Sequence, residues 1–298
     1  MTGIICVNKN ADITSFGVVA KVRGIAREKK AGHTGTLDPM ATGVLPIMLG
    51  GATRFLDYLP DSDKGYKAKF LLGKTTDTYD ITGNVISEAD VSVTKEEVLA
   101  ALDEFRGSIS QVPPMYSAVS VDGKRLYDLA RKGIEVEREA REVEIKRLEL
   151  VQCSGNEYTI DVLCSKGTYI RSLIYDIGQR LGCGAVMTEL TRTLAMGFTL
   201  DDCVTLEQLQ KRRDSEAGFD DVLIDIEKIL EPYESVTVTE AQAKRFSNGG
   251  ALSLDRIRKN ISDKLYRVYA QNGCFLGLGQ GDTVKNELAV KRLLVKRD

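Results

Sequence analysis

One histidine, His33, is all that 298 residues contain, and the six cysteines (Cys6, Cys153, Cys164, Cys183, Cys203, Cys274) lie scattered with no CxxC pair. A structural zinc site needs closely spaced Cys and His ligands, so these shortages argue against one. The cysteines read instead as reduced thiols in small core positions, not as a disulfide framework. No apolar run approaches the roughly 20 residues that span a bilayer. The opening MTGIICVNKN lacks the basic-then-apolar layout of a secretory signal, so a cytoplasmic location is expected. No GxGxxG or GK[ST] loop follows a strand, which argues against nucleotide binding, and there is no GxSxG elbow for a serine hydrolase. What remains is ordinary globular composition, 43 % hydrophobic and 28 % charged, in a chain long enough for one large domain or two ordinary ones.

Charge is unevenly placed. The net charge is −2, yet residues 235–298 carry 12 Lys and Arg against 6 acids, so this tail is +6 and residues 1–234 are −8. A second basic cluster, KVRGIAREKK, sets Lys21, Arg23, Arg27, Lys29 and Lys30 against Glu28. A single such cluster is usually a solvated face; two on an otherwise acidic chain point to a polyanion partner.

Periodicity predicts mixed α and β structure. GIICVN reads as a first strand, followed by a helix capped by Thr14 or Ser15 with Phe16, Val19, Ala20 and Ala26 on one apolar face. Residues 65–72, 141–151 and 157–164 alternate like strands. Thr94 with Glu97 forms a capping box ahead of a helix that ends at Gly107. In TYIRSLIYDIGQRLG the residues Ile170, Leu173, Ile174, Ile177 and Leu181 make one core stripe. Arg171 lies beside that stripe, so its head can leave the core. After Glu231-Pro232 a new unit is expected. It comprises a short helix capped by Thr239 and Gln242, the strands LYRVYA and CFLGLGQ joined through Gln271-Asn272-Gly273, and a last strand in ELAVKRLL.

Chemistry is most conspicuous in GHTGTLDPMATGVLPIMLGGATRF, residues 32–55, a glycine-punctuated and nearly uncharged stretch around His33 and Asp38. A carboxylate in such surroundings is not a solvating surface charge. Asp-Pro equally suits a turn in which the carboxylate caps its own backbone, and spacing alone favours that plainer reading. Glycosidase chemistry needs two acids, and only Asp38 stands out.

The same stretch resembles the catalytic motif of bacterial tRNA pseudouridine-55 synthases of the TruB type, and the similarity runs through nearly the whole chain. GHTGTLDPMATGVLPI places Asp38 at the family's nucleophile position. KGYKAKFLLGKTTDTYDITG (64–83) resembles the second motif, with Tyr66 where the family stacks an aromatic ring on the target base. VPPMYSAVSVDGKRLYDLARKG (112–133) is similar to the stretch that follows. SKGTYIRSLIYDIG (165–178) resembles the arginine motif, with Arg171 partnering the nucleophile, and LTRTLAMGF (190–198) supplies the pocket leucine, Leu190. His33 takes the position that fills the space near the flipped base. RFSNGG and GCFLGLGQ are similar to the C-terminal PUA-like module. The family usually begins KPxGxTS; here Lys9, Thr14 and Ser15 remain while Asn10 and Asp12 replace the proline and the glycine.

The resemblance implies an α/β fold with a mixed, largely antiparallel sheet in a catalytic domain, residues 1–232, and a small β-rich PUA-like RNA-binding domain, residues 233–298. It implies isomerisation of uridine to pseudouridine at position 55 of the TΨC loop, with base flipping and one aspartate. No cofactor or metal is expected. The expected partner is the T-arm stem-loop of tRNA, met by a monomer that needs neither a membrane nor a protein partner. Asp38 is the expected catalytic residue; Tyr66, Arg171, Leu190, His33 and Lys9 are expected at the substrate. Outside the resemblance, Tyr66 and Leu190 would be core packing, Arg171 a surface ion pair and Lys9 a solvated strand-end charge. A non-catalytic RNA-binding protein or tRNA-folding chaperone on the same scaffold is the alternative, and a His33-based hydrolase a third.

Overall fold

A computed structural model of the chain describes residues 1–121 and 123–294. Lys296, Arg297 and Asp298, which contribute to the tail charge, lie outside the described residues, as does residue 122 of the 112–133 stretch.

Nine strands form the main sheet. In chain order the first eight are β1 (Gly3–Lys9), β2 (Ala31–His33), β3 (Thr42–Leu49), β4 (Lys64–Leu72), β5 (Gly107–Gln111), β6 (Arg141–Ser154), β7 (Glu157–Cys164) and β8 (Ala185–Ala195). A two-residue β9 (Phe198–Thr199) folds back on β8. The order across the sheet is β1-β3-β8-β4-β7-β6-β5, with β2 beside β3. Every pairing is antiparallel except β3 with β8, which run parallel at Thr42 and Gly43. That parallel contact closes the centre of the sheet and brings residues 42–43 to residues 191–192. The strands follow the expected alternation: along β4, Tyr66, Ala68, Phe70 and Leu72 are buried at every second position.

The helices form where local signals place them. In α1 (Ser15–Ile25), Thr14 is the cap, accepting from the Gly17 N–H. Its buried face is Ser15, Val18, Val19 and Val22, not the face through Phe16, which is 73 % exposed. The register is set by Ser15, whose hydroxyl bonds both backbone groups of Leu37; Phe16, about 100° further round the helix, then has to face solvent. The capping box of α2 (Lys95–Glu104) is complete, with Thr94 accepting from the Glu97 N–H and Glu97 reaching back to the Thr94 N–H. Helix α3 (Ile170–Arg180) buries Ile170, Leu173, Ile174 and Ile177 as the stripe requires.

A second, five-stranded sheet begins at Glu234. Its strands are β10 (Glu234–Val238), β11 (Leu252–Ser253), β12 (Leu265–Ala270), β13 (Phe275–Asp282) and β14 (Glu287–Leu293), ordered β10-β12-β13-β14-β11. The expected hairpin joins β12 to β13, and α4 (Glu240–Ser247) carries the expected Thr239–Gln242 capping box. This sheet docks on the first through apolar contact. Phe275 and Leu278 share a buried cluster with Ile4, Cys6, Val44, Met48 and Phe55. Tyr233 also donates to the Tyr58 carbonyl at 3.0 Å. No helix among the described residues is long and apolar enough to cross a membrane.

Candidate active site

The loop between β2 and β3 carries Asp38, and three buried polar side chains hold its backbone. Lys9, fully buried at the end of β1, donates its ammonium to the carbonyls of Asn10, Pro39 and Ala41. It is therefore no solvated strand-end charge. Ser15 grips Leu37 from the start of α1. Arg192, 1 % exposed on β8, donates to Val44 at 2.8 Å, to Gly35 at 3.2 Å and to Thr36 at 3.4 Å. Residues 191–192 come this close to β3 because Gly43 has φ +103 and no Cβ; a side chain there would collide with the Arg192 backbone.

Burial of these cations shows in their acidities. Desolvation lowers the Lys9 ammonium to about 8, opposed in part by the Asp38 charge. At neutral pH it keeps the proton that its carbonyl contacts require. Burial and the neighbouring Arg192 also lower His33, whose imidazole is thus neutral at pH 7 and whose Nδ1 is buried with no hydrogen-bond partner. Burial pushes the Tyr66 phenol up to about 12, with the Arg192 guanidinium beside it. Tyr66 and Leu190, 6 % and 7 % exposed, belong to the same buried cluster as Leu37 and Ala41.

The Asp38 carboxylate does not cap its own backbone. It faces Arg171, with Oδ2 2.8 Å from Nε and Oδ1 accepting from Nη2 at 3.1 Å, a two-pronged pair. The Arg171 side chain is 4 % exposed and that of Asp38 31 %. The Arg171 head, which its flank position would let leave the core, is drawn inward by polar partners. Nη1 donates to the Thr78 carbonyl at 3.1 Å and Nη2 to the Tyr116 carbonyl at 2.8 Å. Asp80 Oδ2 lies 3.8 Å from Nε, while its Oδ1 accepts from Thr78 Oγ1 and from the Thr82 N–H and hydroxyl. The start of α3 lacks a side-chain cap of its own. Gln111, fully buried on β5, instead anchors the residue before the helix, pairing with both backbone groups of Tyr169 at 2.8 and 3.1 Å.

The structure therefore joins Asp38 directly to Arg171 and sets Lys9 under the same loop. Tyr66, His33 and Leu190 pack around it without touching the ion pair through hydrogen bonds. Sequence reasoning missed Asp80, Arg192 and Gln111. Asp80 had a signal, an acid in the glycine-ended turn DTYDITG; Arg192 and Gln111 had only an inward strand register. No group of three or more His, Cys, Asp or Glu side chains able to hold a metal occurs among the described residues. The arrangement is a partly exposed carboxylate in a cation-backed loop, suited to meeting positive charge developing on a substrate.

The altered opening loop keeps this geometry. Asp12, where the family pattern has glycine, adopts the left-handed φ of +61 that glycine would take most easily. Asp12→Gly is accordingly expected to raise stability by up to about 1 kcal/mol. The left-handed backbone costs an L-residue roughly 1–2 kcal/mol, and glycine's extra freedom when unfolded takes part of that back. A urea midpoint below that of the unsubstituted protein would contradict it.

Comparison with known proteins covers nearly the whole chain. Residues 23–170 match the model of the TruB family pseudouridylate synthase N-terminal domain, 171–237 that of the tRNA pseudouridylate synthase B C-terminal domain, and 235–294 that of the pseudouridine synthase II TruB C-terminal region. A tRNA pseudouridine synthase B of Clostridium perfringens (strain 13 / Type A) is 46 % identical, covering 99 % of this chain and 100 % of the relative. The enzyme of that name from Pseudomonas putida (strain F1) is also 46 % identical, over 94 % of this chain and 92 % of its own. Among solved structures, a chain of a Cbf5–Nop10–Gar1 complex superimposes with a TM-score of 0.75 at 28 % identity, covering 99 % of this chain and 85 % of that one. By its motifs, its fold and its full-length relatives, the chain belongs to the TruB family of pseudouridylate synthases, isomerases that convert uridine to pseudouridine.

Proposed function

We propose that this enzyme acts on tRNA and isomerises uridine 55 in the TΨC loop, with Asp38 as the catalytic carboxylate. The observation that carries the reading is the Asp38–Arg171 pair, whose carboxylate is the exposed partner. The bond between C1′ and N1 breaks, the base turns, and C5 bonds to C1′; C5 loses a proton and N1 gains one, so nothing is oxidised or hydrolysed. Asp38 meets the electron-poor C1′ side of that change, and Arg171 keeps it oriented through the two-pronged contact. The uridine leaves its stack at a cost of a few kcal/mol. Stacking on Tyr66 returns about 1–3 kcal/mol. Because Tyr66 is only 6 % exposed, the entering base has to displace the side chains that cover the ring. Leu190 and the neutral His33 shape the slot, and Lys9 holds the loop from below. Residues 1–232 carry the chemistry and 233–298 hold RNA, in a monomer with no obligatory protein partner. The name borne by the relatives supports the tRNA substrate. The test is to incubate the protein with an unmodified tRNA transcript and map pseudouridine along it. Modification confined to residue 55 is expected; none, or modification elsewhere only, overturns the reading.

RNA holding has its own expected outcome. Of the tail's basic residues, Lys259 and Lys264 are paired with Glu234 and Lys285 with Asp282, whereas Lys244, Arg256 and Arg258 are exposed. Removing the tail outright would uncover the apolar cluster around Phe275, so charge substitution is the cleaner measurement. Lys244→Gln with Arg256→Gln and Arg258→Gln should weaken binding to a T-arm stem-loop. It should also flatten the log–log salt slope by roughly 0.9 for each phosphate that is no longer neutralised. The rate at saturating RNA should stay near normal. Unchanged affinity and slope would show that this face does not touch RNA.

A further inference from the structure

Of the six non-glycine residues with positive φ among the described residues, Tyr79 alone is aromatic, at φ +64. A bulky side chain in the left-handed region is an outlier, retained only where its surroundings determine it from several sides. Here two sets of contacts do so. The backbone on either side of Asp80 is docked on β8: the Tyr79 carbonyl accepts from the Met187 N–H at 3.2 Å, and the Ile81 N–H donates to the Met187 carbonyl at 2.8 Å. The Tyr79 ring, meanwhile, stacks on Tyr175 with centroids 4.0 Å apart and planes 19° from parallel.

Tyr175 lies on α3 four residues after Arg171, so the two side chains share one face of the helix. Thr78 and Tyr79 are adjacent in the turn. Consecutive residues of the turn thus meet successive turns of the helix: the Thr78 carbonyl accepts from Arg171 Nη1 at 3.1 Å, and the next residue's ring lies on Tyr175. The reversal at Tyr79 lets the Thr78 carbonyl and the Asp80 carboxylate, two residues apart, reach the same guanidinium that holds Asp38.

We propose that the Tyr79–Tyr175 stack is a positioning clamp that fixes the turn 77–83 against α3 and so orients Arg171 toward Asp38. Neither ring touches substrate in this account; both act through Arg171. The inference rests on the reading of Asp38 and Arg171 as the reacting pair.

The test measures single-turnover pseudouridine formation at saturating enzyme on an unmodified tRNA transcript, together with the Kd for that RNA. Tyr79→Phe and Tyr175→Phe keep the stack and should react within twofold of the unsubstituted protein. Tyr175→Leu and Tyr79→Gly should react 10- to 100-fold more slowly with Kd within twofold. Tyr79→Gly is the control against misfolding, since glycine adopts the left-handed backbone without strain while removing the ring. Combining Tyr175→Leu with Arg171→Lys should slow the reaction no further than Arg171→Lys alone, because both changes act on one group. Near-normal rates in Tyr175→Leu and Tyr79→Gly, a loss that appears in Kd instead of rate, or independent multiplication with Arg171→Lys overturns the clamp. An unsubstituted protein that makes no pseudouridine overturns the functional reading itself, and the clamp with it; an active one with indifferent variants overturns the clamp alone.

Discussion

Asp38→Asn is expected to reduce pseudouridine formation by at least about 10⁴-fold, equivalent to roughly 5.5 kcal/mol at 1.36 kcal/mol per factor of ten. The substitution keeps the shape of the side chain and removes its charge. No other carboxylate can take over: Asp80 faces the same guanidinium but is enclosed, with a side chain 6 % exposed and its Oδ1 already accepting from Thr78 and Thr82. The fold should survive. The asparagine oxygen can still accept from Arg171, and Asp80 still supplies a nearby negative charge, so the buried cation is not stranded. RNA affinity should hold because the exposed basic residues of the tail and of the Lys21–Lys30 segment are untouched. Single-turnover rates, RNA Kd and urea midpoints measured together check this. Substantial turnover by Asp38→Asn would remove Asp38 from the reaction.

Arg171→Lys should cost both rate and stability, and that combination distinguishes it from Asp38→Asn. The guanidinium addresses Asp38 with two nitrogens and the Thr78 and Tyr116 carbonyls with the same planar fork. An ammonium is a point charge on a different stem and cannot serve all of them. Leaving a buried carbonyl or carboxylate without its partner costs about 1–3 kcal/mol. A loss of roughly 2–4 kcal/mol in unfolding free energy is therefore expected, within the usual range for breaking a buried network. The single-turnover rate should fall about 10²- to 10³-fold, or roughly 3–4 kcal/mol, because Asp38 loses its orientation but not its charge. A lysine variant with a near-normal rate would show that the pairing is structural only.

How much of this was legible in the sequence divides along one physical line. Effects that act within a few residues could be read directly. The capping boxes at Thr94–Glu97 and Thr239–Gln242 formed because cap and partner are three residues apart. The stripe Ile170, Leu173, Ile174 and Ile177 placed α3, and alternation placed β4, β6 and β7 of the main sheet. Asp38 stood out for the same local reason, as an acid amid neutral and glycine residues; the resemblance, not its spacing, singled it out as catalytic.

Where a charge goes was another matter. Periodicity put Arg171 at the helix flank, where its head can leave the core, and Phe16 on an apolar face; only the resemblance paired Arg171 with Asp38. The structure buries Arg171 and exposes Phe16, because the deciding partners are far away along the chain. Arg171 meets Asp38 across 133 residues, Arg192 grips Val44 across 148, and Lys9 reaches Ala41 across 32. A long polar side chain is stable inside only if the fold delivers acceptors to each of its donors, and no local pattern records that delivery. The sequence alone determined the capped helices, the strands β4, β6 and β7, and the one unusual carboxylate. The parallel contact of β3 with β8, the enclosure of Lys9 and Arg192, and the seat of Arg171 between Asp38 and Asp80 were decided by tertiary structure. Buried charges take their positions from partners that only the completed sheet brings within hydrogen-bonding distance.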